Sequence, residues 1–131
     1  MIDGKKLNGI VELVGHVTDI SSIFEQADVM VHNSVVEGCP NVVLEAMSFG
    51  VLVVASPYVG SLGIIENDSS GIVASGESDI QLKQAIKRMM LLPEKKYAEM
   101  VNVAKRKVRE HYSLNVMVNS FIRAFERVRE E

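Results

Sequence analysis

The chain has 131 residues, 47% hydrophobic and 24% charged, the balance of one packed globular domain rather than of a disordered or fibrous chain. Its 14 Lys plus Arg against 17 Asp plus Glu give a formal net charge of −3, so no overall basic field exists to hold a nucleic-acid backbone. Cys39 is the one cysteine, which excludes an internal disulfide framework and a sulfur-rich metal site, and no apolar run approaches the roughly 20 residues that span a bilayer.

Short apolar runs alternate with segments of helical period, the signature of strand-helix-strand units on a parallel sheet. "IVELVG" (Ile10 to Gly15) is the first expected strand. "TDISSIFEQA" follows as a short helix, with Thr18 or Asp19 as N-cap and Ile20, Ile23, Phe24 and Ala27 on one face. "DVMVHN" reads as a buried strand, and "VLVVA" (Val51 to Ala55) as a strand covered on both faces by helices. A turn with Pro57, Gly60 and Gly63 leads to a short helical piece near "GIIEN", and "GIVA" (Gly71 to Ala74) is a last, short strand.

From Ser78 the period is helical throughout. Leu82, Ala85, Ile86, Met89 and Leu92 share one face, and Pro93 stops or restarts the chain. Tyr97, Val101, Ala104, Val108 and Tyr112 then recur at spacings of four, three, four and four. Ser113 is the expected N-cap of a final helix carrying Leu114, Met117, Phe121, Phe125 and Val128. The run "KRKVRE" in the middle helix is interleaved with Glu110, which marks a solvated helix surface more than a patch for membrane or nucleic acid.

Between two of the strands lies "SVVEGCPNVVLEAMSFG", with Glu37 and Glu45 on either side of a Gly-Cys-Pro-Asn turn. That stretch runs from the carboxyl end of a parallel strand into a helix, the edge where such sheets bind ligands. Gly38 allows close backbone approach, Pro40 suits the first helical turn, and the amides of Cys39, Asn41, Val42 and Val43 are expected among the unbonded donors of the helix N-terminus. Those donors and the helix dipole favour an anion. Glu45 sits one turn in, with its Cα–Cβ bond tilted back toward the same mouth, where a carboxylate can accept from two neighbouring hydroxyls of a ribose. Glu37 would stand on the far side of the anion. A nucleotide sugar has these three parts in that order, although a single Glu near a helix start is commonly only a dipole complement or cap.

"SVVEGCPNVVLEAMSFGVLVVAS" resembles the signature of the family 4 retaining glycosyltransferases, within the glycosyl transferases group 1, whose GT-B fold has two Rossmann-like domains around a cleft. The resemblance extends through "VELVGHVTDISSIFEQADVMVHNS" and the helical tail, so residues 1–131 resemble the second half of that family's C-terminal, nucleotide-sugar-binding domain. It implies that Glu45 holds the ribose, that Glu37 is the catalytic residue facing the donor sugar, in a positioning and electrostatic role with a covalent nucleophile as the alternative, and that Gly38, Cys39, Asn41, Val42 and Val43 contact the donor through the turn. It implies an α/β fold: an incomplete Rossmann-like parallel sheet of about four strands, helices on both faces and a helical tail. No cofactor or metal is expected besides the nucleotide-sugar substrate. A cytoplasmic location follows, peripheral to the membrane for the full-length enzyme, with a glycan or lipid-linked acceptor.

Departures from the family pattern are Leu52 in place of a common proline, Cys39 in place of a common aromatic, and Val59 and Gly63 where a glycine and an acid are usual. The family's acceptor-binding N-terminal domain and the first two strands of the C-terminal domain, with their basic residues for the diphosphate, have no counterpart in this stretch. A leaving diphosphate needs fixed cations, so the isolated chain is expected to be inactive. The gap also leaves "IVELVG" to find another neighbour, pair across a dimer or lose its strand structure, and a homo-oligomer or a partner chain completing the sheet is expected. The alternative is a non-catalytic association module, or a subunit completing a split transferase in trans; a sugar-nucleotide epimerase on the same architecture fits the glutamate spacing less well. His32 near Glu37 reads first as a core or rim histidine, His16 and His111 as structural or surface residues, and Cys39 lacks a histidine base.

Overall fold

A computed structural model describes Leu7, residues 9–36 and residues 38–130. Among the described residues nine elements follow one another: α1 (Ser21–Phe24), β1 (Val29–His32), α2 (Asn41–Phe49), β2 (Leu52–Ala55), α3 (Pro57–Ser61), β3 (Ile72–Val73), α4 (Asp79–Met90), α5 (Glu94–His111) and α6 (Leu114–Glu130). The strands form one parallel sheet in the order β1-β2-β3, with Val29 opposite Leu52, His32 opposite Ala55 and Val54 opposite Ile72. All three run the same way, so the loops after His32, Ala55 and Val73 share one carboxyl edge.

β2 is the centre. Its four residues are wholly buried because strands flank it on both sides and α2, α4 and α5 pack on it, as expected of a continuous apolar run. Beneath α2, Val43, Ala46 and Met47 are wholly buried, and α4 and α5 add Ala85, Met89, Met100 and Ala104. Gly50 ends α2 in the left-handed region (φ 89°), its N–H meeting the carbonyls of Ala46 and Met47; a Cβ there would come within 2.8 Å of the Lys105 side chain.

Ser78 opens α4 with a reciprocal capping box to Gln81, and Ser113 opens α6 by accepting from the Val116 N–H at 3.5 Å. Pro93 restarts the chain at α5, whose Tyr97 hydroxyl donates to the Asp28 carbonyl at 2.7 Å. Ile20, rather than Thr18 or Asp19, is the N-cap of α1; just before it the Asp19 carboxylate accepts from the Ser21 N–H at 3.0 Å, and the helix ends at Phe24, whose ring lies 5.8 Å from that of Phe49 on α2.

Four further expectations are corrected. "IVELVG" forms no strand: Ile10 and Leu13 are 79% and 81% exposed, and the sheet has three strands rather than about four, because a strand requires a paired neighbour and the outer edge of β1 has none among the described residues. The short helix lies at Pro57–Ser61 and not at "GIIEN", since Ser56 caps it and Pro57 is pre-set for a first helical position, while Ile64 and Ile65 are buried in the turn that follows. Pro40 is the N-cap of α2, with an extended ψ of 92°, rather than part of its first turn. In "KRKVRE", Lys105, Arg106, Arg109 and Glu110 are solvated as expected, but the Lys107 side chain is 14% exposed and donates to the Gly63 carbonyl at 2.8 Å and to Glu66 at 2.7 Å. The apolar side of α6, Leu114, Met117, Phe121 and Phe125 included, is uncovered. Among the described residues no helix is long and apolar enough to cross a membrane.

Candidate functional site

The loop from Asn33 to Pro40 joins β1 to α2 at the carboxyl edge, and one buried side chain fastens its start. Ser56 lies at the end of β2; its hydroxyl donates to the Ser34 carbonyl at 2.6 Å and accepts from the Val59 N–H at 3.4 Å, while its N–H donates to the His32 carbonyl at 3.1 Å. Ser34 then closes a local turn onto Val36, its hydroxyl meeting the Val36 N–H at 3.4 Å and carbonyl at 3.2 Å. Ser56 was not singled out from sequence. A signal was present: a serine between an apolar run and Pro57 is a cap pattern.

Gly38, Cys39 and Asn41 are exposed, Val42 is half-buried, and Pro40 beneath them is buried. α2 begins with no side-chain cap and no acid in its first turn, and the amides of Asn41 and Val42 make no backbone bond to any described residue. They point outward from the helix start, where unbonded N–H groups and the dipole favour an anion. Val43 differs from the expectation: its N–H donates to the Pro40 carbonyl at 2.9 Å and its side chain is wholly buried, so it anchors the turn and offers no free donor.

Glu45 lies on the exposed side of α2, one turn from its start, and its carbonyl accepts the Ser48 hydroxyl at 2.7 Å. Glu37 lies outside the described residues. His32 ends β1, half-buried, and brings the Ser56 N–H to its carbonyl; His16 and His111 are exposed and away from this turn in sequence. Among the described residues no group of three or more His, Cys, Asp or Glu side chains is disposed to hold a metal ion.

Two other features lie elsewhere. A groove of about 470 Å³ opens at the amino end of the sheet, between Ala27, Asp28 and Val29 on one side and Met89, Leu92 and Tyr97 on the other. Burial raises the Tyr97 phenol above its ordinary value there. Behind α3, the hydrogen bond and charge of Lys107 hold the Glu66 carboxyl below its ordinary value of 4.5.

The sequence model of a family described as "Glycosyl transferases group 1" matches residues 1–107. An alpha-1,4-N-acetyl-D-galactosaminyltransferase of Campylobacter jejuni, named for a diNAcBac-PP-undecaprenol-linked substrate, is 29% identical over 107 residues, 81% of this chain and 30% of that protein. Among solved structures, a glycosyltransferase from Rickettsia africae superposes with a TM-score of 0.87 at 20% identity over 97% of this chain and 34% of its own. Anabaena HepE, solved in complex with UDP and glucose, superposes with a TM-score of 0.85 at 21% identity, covering 95% of this chain and 34% of its own. At those identities the likeness establishes the fold, and this chain spans about a third of the length of the proteins it matches.

Proposed function

From the premise that this chain belongs to the glycosyl transferases group 1, we propose that it is the donor-binding part of a family 4 retaining enzyme, equivalent to the second half of the C-terminal GT-B domain. The observation that carries this reading is the start of α2 at the carboxyl edge of the sheet, where the amides of Asn41 and Val42 make no backbone bond to a described residue, with an exposed Glu45 one turn on. In the reading, those amides, with Gly38 and Cys39, take the diphosphate, Glu45 accepts from the two ribose hydroxyls, and Glu37 faces the donor sugar in a positioning and electrostatic role. Val43 supports the turn from below. The donor is a nucleotide sugar and the acceptor a glycan or lipid-linked saccharide, the class named for the Campylobacter relative. No further cofactor enters the reading, and the setting is the cytoplasmic side of the cell.

In this reading residues 1–131 carry the donor-binding half-domain. By itself it transfers no sugar, because helix amides alone leave the charge of the departing diphosphate poorly matched. Titration calorimetry with UDP tests the binding half of the proposal: measurable heat in the parent chain, weakened at least tenfold in Glu45→Ala, is expected. Equal UDP affinity in the two proteins would sink it.

A second reading is favoured by the uncovered side of α6, which is suited to association. It makes the chain a non-catalytic module or the trans-acting piece of a split transferase. Absence of UDP binding with the partner present favours that reading over the first.

A further inference from the structure

We infer that Ser56 is a positioning residue for the turn between β1 and α2: from behind the loop of residues 33–40, its hydroxyl sets where Gly38, Cys39 and the first amides of α2 are presented. The inference rests on the donor-binding reading for the ligand that the turn meets, and it adds a residue that this ligand never touches.

The carboxyl end of β2 is the firmest point to which that loop can be tied. Leu52 to Ala55 are wholly buried, and backbone bonds continue on both sides of the strand end, from the Ser56 N–H to the His32 carbonyl at 3.1 Å and from the Ala74 N–H to the Ala55 carbonyl at 2.9 Å. Ser56 therefore moves with the sheet. It is 2% exposed, out of reach of a ligand, and the one proton of its hydroxyl goes to the Ser34 carbonyl at 2.6 Å. The far end of the loop is tied separately, by the Val43 N–H to the Pro40 carbonyl at 2.9 Å over a wholly buried side chain. Gly38 and Cys39 are exposed between the two ties, so a shift of either tie tilts what lies between.

The same oxygen has a second partner, which separates tying from capping. Ser56 is the N-cap of α3 and accepts from the Val59 N–H at 3.4 Å. A cap needs only an acceptor, and an aspartate supplies one as well as a serine does. Its charge would, however, stand against the Ser34 carbonyl. A hydroxyl donates and accepts at once in the least volume, and the bond it donates is the shorter of the two, so the hold on the loop is the stronger.

Amide NMR spectra of the ligand-free chain test the placement. Ser56→Ala is expected to shift or broaden the Gly38, Cys39 and Asn41 signals, while Ser56→Thr, which keeps the hydroxyl, leaves them close to those of the parent. Ser70→Ala is the control. It removes another wholly buried serine hydroxyl, which accepts from the Glu66 N–H at 2.9 Å ahead of β3 and so at the amino edge of the sheet, and the three signals are expected to stay in place. Ser56→Cys, similar in volume and a weak donor, takes the place of Ser56→Ala if that variant does not fold. In UDP titration Ser56→Ala is expected to bind about fivefold or more weakly, with Ser56→Thr and Ser70→Ala near the parent. Signals unmoved in Ser56→Ala, moved as far in Ser70→Ala, or displaced as much in Ser56→Thr would overturn the inference, as would an undiminished UDP affinity in Ser56→Ala. A parent that binds no UDP defeats the donor reading alone, and the amide signals then still decide whether Ser56 places the turn.

Discussion

Two helices leave the carboxyl edge of the sheet and treat their own first amides in opposite ways. At α4, the Ser78 hydroxyl accepts from the Gln81 N–H at 3.3 Å and the Gln81 side chain accepts from the Ser78 N–H at 3.3 Å, with Asp79 adding an acid to the first turn. At α2, the N-cap is Pro40, which offers no side-chain cap, no described side chain bonds the first amides, and no acid stands in the first turn. α4 is therefore stabilised at its end, whereas α2 is held by its buried face, where Val43, Ala46 and Met47 are fully covered. The difference teaches that packing can fix a helix while its terminus stays open to something outside the chain.

Four changes break or sharpen that contrast. Met47→Ala strips the packing that holds α2 and is expected to cost about 2–5 kcal/mol in urea unfolding; a loss far below that would mean that α2 is fixed by something other than its buried face. Pro40→Asp gives α2 the cap it lacks, and its carboxylate occupies the amides and repels a diphosphate. UDP affinity is expected to fall about tenfold or more with thermal stability kept or raised, and unchanged affinity would show that the open terminus does not hold the anion. Ser78→Ala removes the α4 cap and costs about 1 kcal/mol, with UDP titration unmoved. Lys107→Ala has the smallest effect, because its partner Glu66 is 59% exposed. The Glu66 carboxyl has a folded value below 4.5, so its contribution is complete above pH 4.5 and is lost as pH falls through the folded value. The parent chain should therefore lose stability more steeply than Lys107→Ala on acidification below about 4.5, as read by melting temperature against pH.

Much of this architecture could be read from residue order, and the failures have physical causes. The run Val51 to Ala55 announced a doubly covered strand because four β-branched or leucine side chains in a row have no solvent face. Ser113 was readable as a cap because it precedes an amphipathic run, while Ser78 was readable only as the point where the helical period begins. Ile10 to Gly15 carried the same strand signal and failed, since a strand is a property of a pair and the segment pairs with no strand among the described residues. The helix expected at "GIIEN" lost to Pro57–Ser61, where cap chemistry acts before apolar pattern. At the candidate site, the positions of Glu45 and the turn followed from the motif, but the Val43 bond to Pro40 depends on how tightly the first turn winds, which composition does not encode. Lys107 was hidden inside a charge run whose other members are solvated; only the placement of Gly63 and Glu66 singles it out.

Ser56 couples distant parts of the chain through one oxygen. Its hydroxyl joins Ser34, 22 residues earlier, to the first turn of α3, so the loop after β1 and the α3 segment are hinged on a single pin. A molecule that displaces the loop after β1 must also pull on Val59, and the signal of occupancy will therefore surface at a helix it never touches.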